Sequence, residues 1–547
     1  MRTRLLAGVA ALFPIILLQA APVHAQTAAA LAGQVSSEQE GAMEGVVVTA
    51  QKPGDIVTVS VVSDDKGHFA FPKDRLAPGS YNLTIRAVGF ENSAPAKAEV
   101  TADGGANIDI KLRKARNLAA QLNNAEWLAS FPGTEAQKDF LMDCTSCHTL
   151  ERIARSTHDV DEWMTTITRM KGYAPVSQTI KPQRMLDPAR AGKPEDYRQA
   201  AEYLATINLS ATDHWEYPLK TMPRPKGAAT HVIVTEYKLP RPTIEPHDVI
   251  LDRDGVVWYS NFGEMFIGKF DTKTLQHTEY PVKQYKPDAP VGILNIDFDR
   301  NGKLWFDTMY QGALGELDPK TGEMKMYPVP AEYNDYRAQL NFVGLRHDVD
   351  GKVWTKDVGT NNVLRLDIAS SKWEMFRPTD KLTGPRGIYQ LISDSQNNAW
   401  LAEFGDGHLG RIDAKTGETK WFDTPTPHAR ARRMAIDDHD NILLTLYRAN
   451  SVTYFDTKTE KFTEYKLPTP YTAPYRAAAD KNGNIWVSNM TTDRAVRLDP
   501  KTGKTIEYLM PTETNMRSAY VDDTGKNPVF WIGSNHQAAL VKVEPLD

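Results

Sequence analysis

Cysteine is nearly missing from this sequence: 547 residues hold two, Cys144 and Cys147. One pair, three positions apart, allows a single disulfide or a redox dithiol, but a zinc site of about four ligands has no second pair to complete it. Long apolar runs are missing too. Leu5 to Leu18 falls short of the ~20 residues that cross a bilayer, and no later segment is long and apolar enough. A basic stripe is also absent. With a net charge of −5 and both signs spread along the chain, nothing here suits a phosphate backbone, which excludes nucleic acid as a partner.

What is present begins with a leader. Arg2 and Arg4 precede the apolar run, and Val23-His24-Ala25 has the small-residue pattern of a secretory cleavage site. Residues 1–25 are read as a signal peptide, and the mature chain as a soluble periplasmic protein with no membrane span. The composition, 41% hydrophobic and 24% charged, is that of globular protein, and the length allows about three or four domains.

The two cysteines stand in CTSCH, residues 144 to 148. C-x-x-C-H is the attachment signature of c-type haem: two thiols add to the porphyrin vinyl groups and the adjacent imidazole becomes an iron ligand. This predicts one covalent haem c on Cys144 and Cys147, with His148 as axial ligand. Helices are predicted over Glu135 to Met142 and Pro194 to Leu209, the second with apolar Ala200, Tyr203, Leu204 and Ile207 on one face. With these flanks, residues 120–210 resemble a small all-α class I cytochrome c. A thioether favours ferrous iron, so a methionine is expected opposite His148. Met170 ends a predicted helix, Asp161 to Met170, on a stripe with Trp163 and Ile167. The W-x6-M spacing resembles that of monohaem domains accompanying periplasmic dehydrogenases, which puts Met170 first. Met185, in the proline-flanked loop KPQRMLDP, is the alternative, and His158 a weaker third.

Ahead of this segment, residues 31–113 alternate in short strands, among them Gly45 to Gln51, Ile56 to Ser63 and Ser80 to Ala87, between Gly, Pro and Asp turns. DDKGHFAF and LAPGSYNLTIRAVGF resemble the carboxypeptidase regulatory-like β-sandwich, which implies a non-catalytic spacing or docking role.

Behind it, residues 230–547 repeat. An Asp-x-x-Gly turn, a strand ending in Trp, a strand ending in Asp, a Thr-Gly or Thr-Lys turn and a strand ending in Tyr-Pro recur from Asp252, Asp299 and Asp480, with further copies at Trp354, Trp400, Leu444 and Trp531. Seven units of about four strands predict a seven-bladed β-propeller. The last unit stops one strand early, and TEYKLP occurs both as an outer strand at Thr463 and ahead of the first unit at Thr235. Val232 to Leu239 is therefore predicted to complete the seventh blade, leaving no long open edge.

The wording of the repeat, G-x-x-W, then I-G-x-x-D, then T-G-x-x-x-x-Y, resembles the streptogramin (virginiamycin B) lyase family. That resemblance implies lactone opening by proton abstraction, using a Glu-Pro-His stretch, a second histidine one blade away, a glutamate after a blade tryptophan and a magnesium ion held by carboxylates. Glu245-Pro246-His247 matches, and Glu403 follows Trp400 by three positions. Fourteen positions after His247, however, stands Asn261 instead of a carboxylate, a poorer ligand for a hard cation. At or near the places equivalent to His247 the later units carry Val291, Gly344, Arg386, Arg433, Arg476 and Arg517, so the second histidine is missing. The four arginines are expected at the funnel mouth, either holding an anion bidentately or paired with Asp and Glu inside the tunnel.

Three functions follow as expectations. The first is a haem-linked oxidoreductase that binds or oxidises a small, anionic molecule at the funnel, with Asn261 and the arginines as substrate contacts, and exchanges electrons with a periplasmic partner. The second is a lyase with His247 as base, Glu245 or Glu403 near a divalent cation, and the haem in a regulatory role. The third is a non-catalytic binding or sensor module.

Overall fold

A computed structural model describes residues 29–209 and 217–546; the leader read at 1–25 lies outside the described residues. Six four-stranded antiparallel sheets follow one another from Pro246–Leu251 to Thr505–Leu509, each meandering outward from an inner strand. Met516–Asp522, Val529–Ser534 and Ala539–Pro545 form three strands of a seventh, and Val232–Lys238 pairs antiparallel with the last of them, as predicted. The inner strands of the seventh and first blades lie side by side, which closes the ring.

Side-chain chemistry explains why the repeat reads as it does. In the first unit the Asp252 carboxylate accepts from the backbone N–H of Asp254 and Val256 and from the indole Nε1 of Trp258, at 2.8 to 3.0 Å. Asp299, Asp394 and Asp480 bind Trp305, Trp400 and Trp486 in the same way. Gly255, at φ 76°, supplies the left-handed residue that ends this turn. The buried indole then stacks on the aromatic that ends the fourth strand, Trp258 on Tyr280 at 5.4 Å and Trp305 on Tyr327 at 5.5 Å. Where Leu444 replaces tryptophan, the Tyr454 hydroxyl donates to Asp437 in place of the indole.

The amino-terminal sandwich does not stand apart. Its strand Val57–Val62 pairs on one side with Val47–Gln51 and on the other with Val232–Lys238, so blade seven and one sandwich sheet form a single eight-stranded sheet. Arg75 clasps Glu544 through two bonds of 3.0 Å, and Arg86 donates to Asp493 at 2.6 Å.

Residues 120–209 form short helices, chiefly Asn124–Ser130, Glu135–Cys144, Val160–Lys171 and Arg198–Ile207. Asn123, Thr134 and Asp159 start the first three through reciprocal capping with Glu126, Gln137 and Glu162. Their core is not a separate one. Trp127, Leu141, Trp163 and Leu204 share one apolar cluster with Tyr447, Ala473, Tyr475 and Met490 of the propeller, so a free-standing all-α domain is replaced by a helical segment docked on the ring. No helix of the described residues is long and apolar enough to cross a membrane.

Candidate functional site

The ladder register identifies which residues are equivalent around the ring. Pro246, Leu340, Ile388, Ala431, Pro474 and Met516 begin their inner strands opposite Asn261, Asp357, Glu403, Leu446, Asn489 and Ser534, and the register shifts immediately afterwards in all but the strand from Leu340, where it shifts after Asn341. Such bulges bend a strand and re-aim side chains. The residue after each start is His247, Asn341, Tyr389, Arg432, Tyr475 or Arg517. Sequence spacing alone therefore landed one residue late at Arg433 and Arg476 and three residues early at Arg386, because an irregular ladder is invisible in a linear count. The second histidine is absent from these positions in either alignment.

His247 is fully buried. Its Nδ1 lies 2.7 Å from Asp248 Oδ1 and its Nε2 2.9 Å from the Tyr475 hydroxyl. Burial pushes its pKa down to about 3, outweighing the Asp248 carboxylate, so the ring is neutral. Nδ1–H donates to Asp248, Nε2 accepts from Tyr475, and the Tyr475 oxygen is left to accept from Tyr389 at 2.5 Å. Asp248 in turn receives both terminal nitrogens of Arg433 at 2.9 and 3.0 Å and Asn295 Nδ2 at 2.9 Å. Burial opposes its charge, but Arg433 and His247 hold the carboxyl well below the usual range. Beside this chain Phe342 adopts a left-handed backbone, φ 69°, with its N–H on buried Asp307. Burial raises Asp307 to about 7.

The other sequence candidates divide. Glu245 is buried with Oε2 unpartnered, and burial lifts its pKa to about 8 against Gln178 and Arg517. Asn261 accepts from the N–H groups of Glu245 and Gly263 and leaves its Nδ2 unpartnered. Glu403 is committed elsewhere: its two oxygens accept from the N–H groups of Gly387, Gly405, Asp406 and Gly407, which folds the loop and leaves no base. Arg386 is exposed, away from the other three arginines' buried contacts. Arg433 takes the paired alternative, Arg476 donates to Ser518 at 2.8 Å, and Arg517 donates to the Ser146 carbonyl at 2.8 Å. No cluster of three or more His, Cys, Asp or Glu side chains suited to a metal ion occurs among the described residues.

That last arginine bond joins two regions. CTSCH lies on the propeller mouth: Asn515 donates to the Thr145 carbonyl at 3.0 Å, Arg517 to that of Ser146, and Tyr447 to that of Met142 at 3.4 Å. Loop 173–186 covers the neighbouring blades, with Lys181 Nζ on the Gly263 carbonyl and Gln183 bonded to both the N–H and C=O of Val291. Both thiols are free and half-buried. Burial raises Cys144 to about 12, aided by Asp143, and Cys147 to about 11 in spite of Arg517. His148 Nδ1 is engaged by the Thr149 carbonyl at 2.9 Å, which leaves Nε2 to a ligand. Met170 is 40% exposed although Trp163 and Ile167 of its stripe are buried. Met185, at the end of the covering loop, packs against the cluster that holds Val176, Phe262 and Tyr310. His158 lies edge-on to Trp163 at the far end of that helix.

Sequence reading missed Tyr389, Arg432 and Tyr475. The available signal was a tyrosine or arginine standing directly after the first residue of an inner strand, Ile388, Ala431 or Pro474.

Comparison with known proteins agrees with the ring and with the sandwich. The model of the virginiamycin B lyase family matches residues 228–453 and again 382–546, and that of the carboxypeptidase regulatory-like domain matches residues 30–113. Among solved structures, virginiamycin B lyase from Staphylococcus aureus is 19% identical with a TM-score of 0.49, over 57% of this chain and 99% of that one. A streptogramin B lyase is 21% identical with a TM-score of 0.49, over 58% and 99%. Comparison with curated proteins gives no match.

Proposed function

Since the chain belongs to the virginiamycin B lyase family, yet lacks the second histidine and has Glu403 tied into a loop, we propose that its propeller mouth has been turned to redox use: binding or oxidation of a small, anionic molecule coupled to electron transfer through a covalently attached haem c. The observation that carries this reading is the seating of the C-x-x-C-H carbonyls on Asn515 and Arg517, which puts the attachment motif and the mouth within one site.

The attachment residues suit the group: Cys144 and Cys147 are unpaired thiols and His148 Nδ1 is taken by the Thr149 carbonyl, leaving Nε2, while Met170, or else Met185, would complete the iron's ligands. Bound there, haem c supplies one-electron transfer. The chain's own residues do the rest: Arg517 and Asn515 fix the motif's backbone, loop 173–186 is bonded over blades one and two, and the Tyr389–Tyr475–His247–Asp248 chain holds the mouth's geometry. An exported donor or acceptor protein would be its electron partner.

The test is the absorption spectrum of full-length protein exported by a host that matures c-type cytochromes, recorded reduced and oxidised, with and without added anions. A covalent haem whose potential shifts with an anion is the expected result. Colourless protein with Cys144 joined to Cys147 overturns it.

A lyase reading is favoured by the family membership and by Glu245-Pro246-His247 at the mouth. It requires Tyr475 to release His247 Nε2. Loss of lactone opening in His247→Ala, with Cys147→Ala unaffected, would establish it in place of the redox reading.

A further inference from the structure

Two buried cations at the mouth have no ion-pair partner; Glu245, whose carboxyl is close enough to feel Arg517, is kept protonated by burial, which lifts its pKa to about 8. Arg432 is 8% exposed and Arg517 3%. Among the described residues no carboxylate lies within ion-pairing distance of either, and the Nε of each has no hydrogen-bond partner. Their surroundings are aromatic. The Arg432 guanidinium carbon lies 4.4 Å from the Tyr447 ring centroid, 4.5 Å from Tyr475, 4.7 Å from Tyr389 and 5.1 Å from Phe404. Arg517 lies 5.7 Å from the same Tyr475 ring, so one phenol stands against both guanidiniums.

Ring faces and single hydroxyl or carbonyl contacts do not neutralise a buried charge. The helix carboxylates that reach the propeller are already used, Asp139 by Arg430 and Arg448 and Asp143 by Arg430 and Lys171. Arg433, adjacent in the chain to Arg432, shows the contrasting solution, with Asp248 held bidentately. Both unpaired cations also act on Tyr389. Burial would raise that phenol's pKa, but Arg432 first, then Arg433, and Arg517 more weakly, lower it.

We infer that Arg432 and Arg517 form the binding site for a carboxylate-bearing ligand at the propeller mouth, with Tyr475 between them. This deepens the reading of the mouth as an anion site and rests on that part of it, not on the haem. Two sources carry the same chemistry: a free small carboxylate, or the propionate of a porphyrin attached beside it at Cys147.

The test uses the whole mature chain in two preparations, one matured with haem and one purified without it under reducing conditions, titrated calorimetrically with malonate and with uncharged malonamide. The haem-free chain is expected to bind malonate and not malonamide, with Arg432→Gln and Arg517→Gln each weakening it about ten-fold or more and Arg432→Lys retaining part. Malonate binding that persists in the haem-bearing chain identifies a free carboxylate as the occupant. Binding confined to the haem-free chain identifies the propionate. Should a glutamine variant fail to fold, the unmodified chain still answers, since malonate but not malonamide must raise its thermal midpoint. The inference is overturned if malonate neither binds nor stabilises the haem-free chain, or binds it equally in both variants. A colourless protein that binds malonate would remove the redox reading and leave this site standing.

Discussion

The floor of the propeller mouth and its rim are built from the same strand positions and solve the problem of buried charge in opposite ways. On the floor every charge is answered: Asp248 meets Arg433, His247 and Asn295, and His247 has a partner on each nitrogen. On the rim Arg432 and Arg517 have no ion-pair partner among the described residues and Glu245 and Asn261 each keep a polar atom without a hydrogen bond, whereas on the floor only the Nε of the paired Arg433 does. Native proteins rarely leave such groups unsatisfied without a ligand or water to meet them. The contrast separates a scaffold that holds its own geometry from a surface that is completed by something else.

The strongest way to break the contrast is to remove one half of the floor pair. Arg433→Met or Asp248→Ala strands a buried charge and should cost ~3–5 kcal/mol, read as a fall in the denaturant midpoint. Titration sharpens it next. His247 is neutral in the fold down to about 3, whereas unfolded it takes a proton below 6.5. Its contribution therefore weakens as pH falls from 6.5 toward 3. Glu245 keeps its proton in the fold up to about 8 but loses it at 4.5 when unfolded, so its contribution weakens as pH rises across that window. Glu245→Gln should remove the alkaline decline and His247→Gln the acid one, each worth at most about 1.4 kcal/mol per pH unit within its window, measured as thermal midpoint against pH. Tyr475→Phe deprives Nε2 of its donor and should cost ~1 kcal/mol. Smallest of all, Arg432→Met should change the ligand-free chain by less than ~1 kcal/mol, because no ion pair is lost. A large loss at Arg432 would make rim and floor alike.

Much of this was legible in the chain. Asp-x-x-Gly followed by tryptophan is readable because the carboxylate, the two N–H groups and the indole need that spacing to meet. The strand that closes blade seven betrayed itself by repeating TEYKLP. The mouth was legible only in part: Glu245 and His247 were found by motif, but the bulges after each inner-strand start moved Tyr389, Arg432 and Tyr475 out of count. Glu403 looked like a catalytic carboxylate because sequence does not say that four amides will converge on it. The union of sandwich and blade seven was not readable, since edge pairing uses backbone groups that every residue carries.

That shared sheet has a mechanical side. Five consecutive residues of Val232–Lys238 are laddered to Val57–Val62, so turning the sandwich against the ring would rupture them together. The amino-terminal unit is thus less a tethered module than a handle brazed to the rim of a wheel. Any surface that grips it also sets the compass bearing of the opening.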